Sequence, residues 1–505
     1  MTVKKTFHLI VLGMMLLVAA TATAQSNQPK REFRGAWMHI IGQSQYASMS
    51  TEKTQAYLVD QLDALKRAGV NAVIWQIRPQ ADAAYPSRLE PWSRWITGKA
   101  GKAPNPEWDP LQFMITECHK RGMELHAWIN PYRVTTSKAD KPAPGHIYYQ
   151  HPEWFVSYAD GKIYFDPALP ESRDFICKVV KDIVTRYDVD AIHMDDYFYP
   201  YPVTGKDFPD AKSFAKYGKG WANKGDWRRH NVDLLIEQLH KTLQASKPWV
   251  RLGISPFGIW RNKSSDPTGS ATSGLECYDA LYADCPKWTK EGWVDYMVPQ
   301  LYWQMEHKAA SDAVLMDWWN GVANGRGMYY GLAVRNTMNY ADTRNNGKNN
   351  QLSEKIEKSR SLTNVGGIVW WPGYDVTANY KGVAGELQQS LMSHPALVPA
   401  YTWLDSIAPD QVERLRNSYS TRTGFTLSWQ PFATQDPMQQ AVRYVIYRFA
   451  DGEPIDITRP DAIVGITGET SFNIKPTKGR QTYAVTVLDR CNNESEPIAV
   501  KVNVQ

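Results

Sequence analysis

Cysteine is scarce in this chain. Five residues in 505 are Cys118, Cys177, Cys277, Cys285 and Cys491, and none sits in the paired spacing of a zinc site or a disulfide scaffold. Charge of one sign is scarce too. The net charge is +5, which leaves no footprint for nucleic acid. Beyond the N-terminal segment, no apolar run is long enough to span a bilayer. His-x-His and His-Glu-x-x-His motifs are missing, so neither a metal nor another cofactor is expected. Aromatics are what the chain has in excess, with 20 Trp and 27 Tyr. Many stand beside Gly, Pro, Asn or Asp, where loops form and where exposed rings suit the apolar faces of sugars.

The N-terminus reads as a processing segment, residues 1–24. Lys4 and Lys5 precede an apolar core from Phe7 to Ala20, and Ala22-Thr23-Ala24 is a small-residue cleavage site. Cleavage after Ala24 is expected to leave a soluble, exported protein, periplasmic or extracellular. In an oxidising compartment Cys277 and Cys285 are close enough in sequence to pair. A helix there would set them about two turns apart and out of reach, so both outcomes stay open. Cys118 and Cys177 fall in helical patterns and are expected as buried thiols.

From about Arg31 to Ala396 the chain alternates strand and helix patterns eight times. Strand patterns run Arg34–Ile40, Val70–Arg78, Met123–Ile129, Asp190–Asp195, Val250–Ser255, Val294–Tyr302, Met328–Val334 and Gly366–Trp371. That order predicts an α/β fold, a (β/α)₈ TIM barrel spanning 31–396. The span exceeds a minimal barrel of about 250 residues, and the surplus forms long loops at the mouth. After Val398 helical periodicity stops. Short alternating strands over 399–505 predict an all-β sandwich, and Trp429, Tyr444, Tyr447 and Tyr483 resemble the core positions of a fibronectin type III domain. Spacing, protein docking or weak glycan binding would suit it.

The stretch Asp190-Ala191-Ile192-His193-Met194-Asp195-Asp196-Tyr197-Phe198-Tyr199-Pro200 is the informative one. Strand side chains alternate between faces. Ile192 and Met194 suit a helix-covered exterior, while His193 and Asp195 face the axis. Other polar residues near strand ends are His39, Gln76, Arg78, His126, Asn130, Ser255, Gln300 and Tyr302. Burying so many polar groups is costly unless they serve each other or a ligand. Adjacent carboxylates raise one pKa, which suits shared acid and base work. Asp195 is the leading catalytic candidate, and Asp196 can turn inward where the strand yields to loop. A rival use would gather His39, His126, His193 and Asp195 on a metal.

Five motifs sharpen this reading: Arg34-Gly35-Ala36-Trp37, Asn71-Ala72-Val73, Ile129-Asn130-Pro131-Tyr132-Arg133, His193 to Pro200, and Pro299-Gln300-Leu301-Tyr302-Trp303. They resemble the glycosyl-hydrolase-like 10 family. The resemblance implies an exported glycoside hydrolase acting on an N-acetylated glycan, foremost peptidoglycan strands without stem peptides. Asp195, Asp196 and Tyr302 are then the catalytic set. One carboxylate would orient the substrate acetamido group and the other would be acid and base, as in substrate-assisted enzymes. In a second mechanism Asp195 is a nucleophile and a loop acid such as Glu306 is the donor. Trp37, His39, Arg78, His126, Asn130, Tyr132, His193, Tyr197, Trp260, Gln300, Trp303 and Trp371 are the substrate-binding candidates. Arg78, Arg133 and Arg261 would either meet the lactyl carboxylate of muramic acid or form ion pairs. Hydrolysis of another polysaccharide by two separate carboxylates, and a non-catalytic glycan-binding barrel, are the alternatives.

Overall fold

The computed structural model describes residues 28–504. The expected leader and its cleavage site lie outside the described residues.

Eight parallel strands close into a barrel. They are β1 (Phe33–Met38), β2 (Ala72–Arg78), β3 (Glu124–Ile129), β4 (Ala191–Met194), β5 (Arg251–Ile254), β6 (Tyr296–Met297, resuming at Gln300–Leu301), β7 (Gly327–Ala333) and β8 (Gly367–Trp371). β8 pairs with both β1 and β7, which closes the ring. The helices between and after them include α1 (Thr51–Arg67), α2 (Pro110–Lys120), α3 (Pro170–Arg186), α4 (Lys224–Ser246), α5 (Cys285–Lys290), α6 (Asp312–Gly321), α7 (Leu352–Ser361) and α8 (Val383–Glu386), with further short helices in the loops. Asp109 caps α2 by accepting from the Leu111 and Gln112 amides, with Pro110 at the first helical position. The run from Val294 to Tyr302 is not one strand. Pro299 has no N–H to give the ladder, so β6 breaks there.

Alternation sorts the side chains. Leu125, Ala127, Ile129, Ile192 and Met194 join the layer under the helices. Phe33, Trp37, Ile74, Trp128 and Tyr296 fill the axis. Glycines cut notches for these rings. A Cβ on Gly253 would fall 1.9 Å from Cζ of Tyr296, and one on Gly331 would fall 2.7 Å from Cη2 of Trp37. Gly253→Ala is therefore expected to overpack the axis and cost about 1–3 kcal/mol or more, read as a lowered urea midpoint.

The C-terminal part forms two antiparallel sheets. β9 (Glu413–Ser420), β10 (Gly424–Gln430) and β13 (Ser471–Ile474) make one. β12 (Ile463–Thr467), β11 (Arg443–Ala450), β14 (Gly479–Leu488) and β15 (Ile498–Val504) make the other. Trp429, Tyr444 and Tyr483 pack in the core that the two sheets share. Tyr447 does not join them. It lies three residues from Tyr444 and so turns to the opposite face, where it packs with Leu397 and Phe449.

These sheets close the barrel floor, the end where strands begin. Arg443 of β11 reaches Oε1 of Glu124 at 3.0 Å and Oδ1 of Asp190 at 3.2 Å. Arg251, the first residue of β5, meets the other Glu124 oxygen at 2.5 Å. Asn492 donates to Glu124 at 3.1 Å, and Tyr401 docks among the axial rings with its hydroxyl 3.0 Å from that of Tyr329. Burial alone would push the Glu124 carboxyl up, but the two guanidiniums outweigh it and hold it at about 2.

The five cysteines are free, buried thiols. Cys277 opens a one-turn helix (Cys277–Ala280) and Cys285 opens α5. The helix is broken between them, and both sulfurs come within 3.7 and 4.0 Å of the Ala283 carbonyl.

Candidate active site

A cavity of about 330 Å³ opens at the C-terminal ends of the strands. Asp195 and Asp196 form its base, just past the end of β4. Trp37, Trp128 and His39 each pack against Trp371 in its wall, and Arg133 and Gln76 line it as well. Tyr197, Tyr201, Ser255, Gln300 and Tyr302 complete the wall with Ile41. Of the expected site residues, the structure brings Asp195, Asp196, Tyr302, Trp37, His39, Tyr197, Gln300 and Trp371 to this cavity.

The two carboxylates have different partners. Asp195 accepts from the amide nitrogen of Asn130, from Nε1 of Trp128 at 3.3 Å and from the Tyr197 backbone N–H at 3.3 Å. All three can only donate. The Asn130 orientation is set from behind, because its Oδ1 accepts from Gln76 at 2.8 Å and from Arg133 at 2.9 Å. Asp196 bonds to the Tyr201 hydroxyl and accepts from Nε2 of Gln300 at 3.1 Å. Three donors leave Asp195 one acceptor site free, and the Tyr201 phenol can either donate to Asp196 or accept from it.

Burial and the charge of Asp196 raise the Asp195 carboxyl to about 7, and burial raises Asp196 as well. The values belong to the pair. Near neutrality the pair keeps one proton. His39 is held neutral, its pKa lowered by burial to about 4.

Below the cavity runs a hydrogen-bonded column. Nε1 of Trp37 donates to Nε2 of His193 at 3.2 Å. His193 Nδ1 meets the Tyr296 hydroxyl at 3.0 Å, and that hydroxyl meets Nδ1 of His126 at 2.7 Å. His126 Nε2 meets Glu124 at 2.8 Å. An indole only donates and an ionised carboxylate only accepts. Each proton between them therefore points toward the floor.

This column corrects several expectations. His126 and His193 do not line the cavity. They face the axis like Asp195, but lower down, and are fully buried. With their ring nitrogens engaged in the column, they do not gather with His39 and Asp195 on a metal. Asn130 touches Asp195 rather than the cavity. Arg78 is locked in a buried, two-pronged pair with Glu90 at 2.6–3.0 Å and braces the carbonyls of Asn130 and Pro131. Tyr132 is buried away from the cavity. Trp260 stacks on Trp318 at 5.5 Å, and Trp303 packs edge-on against Phe257 at 5.7 Å, so neither ring faces the pocket. Glu306 is exposed and outside the lining. Tyr201 is the residue that strand reasoning missed. Its signal is the run of aromatics after Asp196, which the loop folds back over the carboxylate.

Comparison with known proteins adds an independent line. A model described as Glycosyl hydrolase-like 10 matches residues 32–347. The chain is 38% identical over 497 residues to "Glycosyl hydrolase YngK" of Bacillus subtilis (strain 168), covering 97% of this chain and 96% of that protein. It is 39% identical over 335 residues to "Glycosyl hydrolase DigH" of Escherichia coli (strain K12), covering 62% of this chain and 74% of that protein. Among solved structures, the catalytic domain of beta-amylase from Paenibacillus polymyxa aligns with a TM-score of 0.46 at 13% identity, covering 72% of this chain and 99% of that chain.

Proposed function

Since the chain belongs to the glycosyl hydrolase-like 10 family, we propose that this glycoside hydrolase is exported and cuts N-acetylated glycan strands, foremost peptidoglycan stripped of its stem peptides. The observation that carries the reading is the acid content of the cavity. Among the described residues, Asp195 and Asp196 are its two lining carboxylates. Neighbours in sequence at one strand end cannot flank a sugar ring from opposite sides, as a separated nucleophile and acid must. The substrate then supplies the nucleophile, and an acetamido oxygen is the group suited to it.

In this mechanism the ionised Asp195 accepts the acetamido N–H and draws the carbonyl oxygen onto the anomeric carbon. Asp196 gives its proton to the leaving oxygen and afterwards takes one from water. Tyr302 lines the cavity beside both carboxylates, with its hydroxyl kept protonated by burial and by their charges. It is placed to donate to the acetamido carbonyl. Trp37 and Trp371 supply apolar faces for the ring.

The proton on the pair sets the pH dependence. Activity needs one proton on the pair and one charge. As pH rises through about 7 that proton leaves, so kcat/KM should fall about tenfold per pH unit above it. A pH profile on a soluble oligosaccharide checks this, and a flat response between pH 6 and 9 would sink the shared-proton account.

The direct test is digestion of purified peptidoglycan, with and without prior amidase treatment, read by mass spectrometry. New peptide-free oligosaccharides from the amidase-treated sample support the reading. No product from either sample ends it.

A further inference from the structure

The cavity holds one strong cation, Arg133, and its surroundings are unusual. The three arginines near the mouth that could meet an anion divide clearly. Arg78 is neutralised by Glu90, and Arg261 by Asp266 and Asp279. Arg133 has no carboxylate within ion-pair distance among the described residues, and its charge is felt at longer range by Asp195 and Asp196, whose carboxyls it lowers. Its guanidinium is fixed all the same. Nε donates to the Pro79 carbonyl at 3.0 Å, Nη2 donates to Oδ1 of Asn130 at 2.9 Å, and the group lies over the Tyr197 ring at 4.7 Å. The remaining nitrogen, Nη1, makes no hydrogen bond among the described residues, and the side chain lines the cavity. A nine-tenths buried cation whose direct partners are neutral acceptors, with one nitrogen left for a ligand, is a preformed anion site beside the aspartate pair.

Its position relative to Asp195 is informative. Asn130 bridges them, giving its nitrogen to Asp195 and its oxygen to Arg133. The two groups therefore stand one amide apart on the same wall. On muramic acid the acetamido group is on C2 and the lactyl ether, with its carboxylate, is on the neighbouring C3. Neighbouring substituents of one ring thus match the one-amide separation of Asp195 and Arg133.

We propose that Arg133 is the specificity residue of the reacting pocket, that it binds the lactyl carboxylate of an N-acetylmuramic acid ring, and that the bond cut is the one leaving that ring. This rests on the functional reading above and goes further, since it selects one of the two alternating bonds of the strand. N-acetylglucosamine has only a hydroxyl on C3 and leaves Nη1 unpaired.

The experiment uses full-length enzyme on amidase-treated strands, native or with carboxylates reduced to alcohols. Products are treated with borohydride and their ends identified. The expected result is new muramitol ends, and at least about a tenfold slower cut of the carboxyl-reduced strands. Arg133→Gln should cut both strands at similar, low rates. New glucosaminitol ends, or equal wild-type rates on both strands, overturn the assignment. If neither strand is cut, the peptidoglycan reading falls on its own. Calorimetry with free N-acetylmuramic acid and N-acetylglucosamine then decides. Tighter binding of the first, lost in Arg133→Gln, upholds the anion site, and equal binding overturns it.

Discussion

Asp195→Asn is expected to lower turnover by about 10³-fold or more while glycan binding stays within a few-fold of wild type. The new amide can turn its oxygen toward Asn130 and Trp128, whose nitrogens now serve Asp195, so the wall keeps its shape. What disappears is the charge that holds the acetamido nitrogen and steadies the cationic ring formed as its oxygen attacks. Removing that charge also removes the repulsion between the two carboxyls, so the alkaline limb of any residual activity should move to lower pH. Asp196→Asn should be equally harmful on a glycan but not on an aryl glycoside with a good leaving group, which departs without a proton. Rescue of Asp196→Asn by such a substrate, with none for Asp195→Asn, would establish the division of labour. The reverse pattern would exchange the two roles, and full activity in either variant would remove the pair from the mechanism.

The second large effect lies at the opposite end of the barrel. Arg443→Met should destabilise the whole protein by about 3–5 kcal/mol, the cost of breaking a buried pair by removing one partner. Glu124 would keep Arg251, but Asp190 and Asn492 would each lose a partner that Arg443 now supplies. Arg443→Lys should recover less than half of the loss, because an ammonium cannot reproduce the fork that reaches three acceptors. Urea unfolding followed by both fluorescence and circular dichroism checks this. Coincident transitions at a lowered midpoint are expected. An unchanged midpoint would mean that the C-terminal sheets dock without help from this cluster.

Much of this was legible in the residue order. Period-two runs bounded by Gly and Pro locate all eight barrel strands, and Pro110 after Asp109 marks a helix start. Face was legible too, since Glu124, His126, Trp128 and Asn130 do point to the axis. Depth was not. Alternation says which face a side chain takes, but not whether it stands at the mouth, midway or on the floor. That is why His126 and His193 read as ligands of a substrate and prove to be ligands of each other through Tyr296. Tyr296 itself looks like core until Gly253 is seen to leave room for its ring. Tyr201 and Glu90 act through loops that fold back, and no local periodicity reports on such returns. The C-terminal segment read as a separate sandwich, and nothing in its own pattern shows that Arg443 belongs to the floor of another sheet.

The column beneath the cavity has a consequence for where the catalytic proton can travel. A chain of hydroxyls and imidazoles normally conducts, each group passing on a proton as it receives one. Here the bottom is a carboxylate held ionised at about 2, and the top is shared by an indole that never accepts and the Ser255 hydroxyl, which lines the cavity 3.1 Å from Nε2 of His193. A proton handed down by Ser255 would meet links already pointing to the floor, whereas none can come back up without first reversing every link, so the column is one-way. Among the described residues no group of that column touches either aspartate, so the pair exchanges protons with water through the open mouth. Once a sugar fills that mouth, the proton of the pair is trapped with its substrate until the bond is cut.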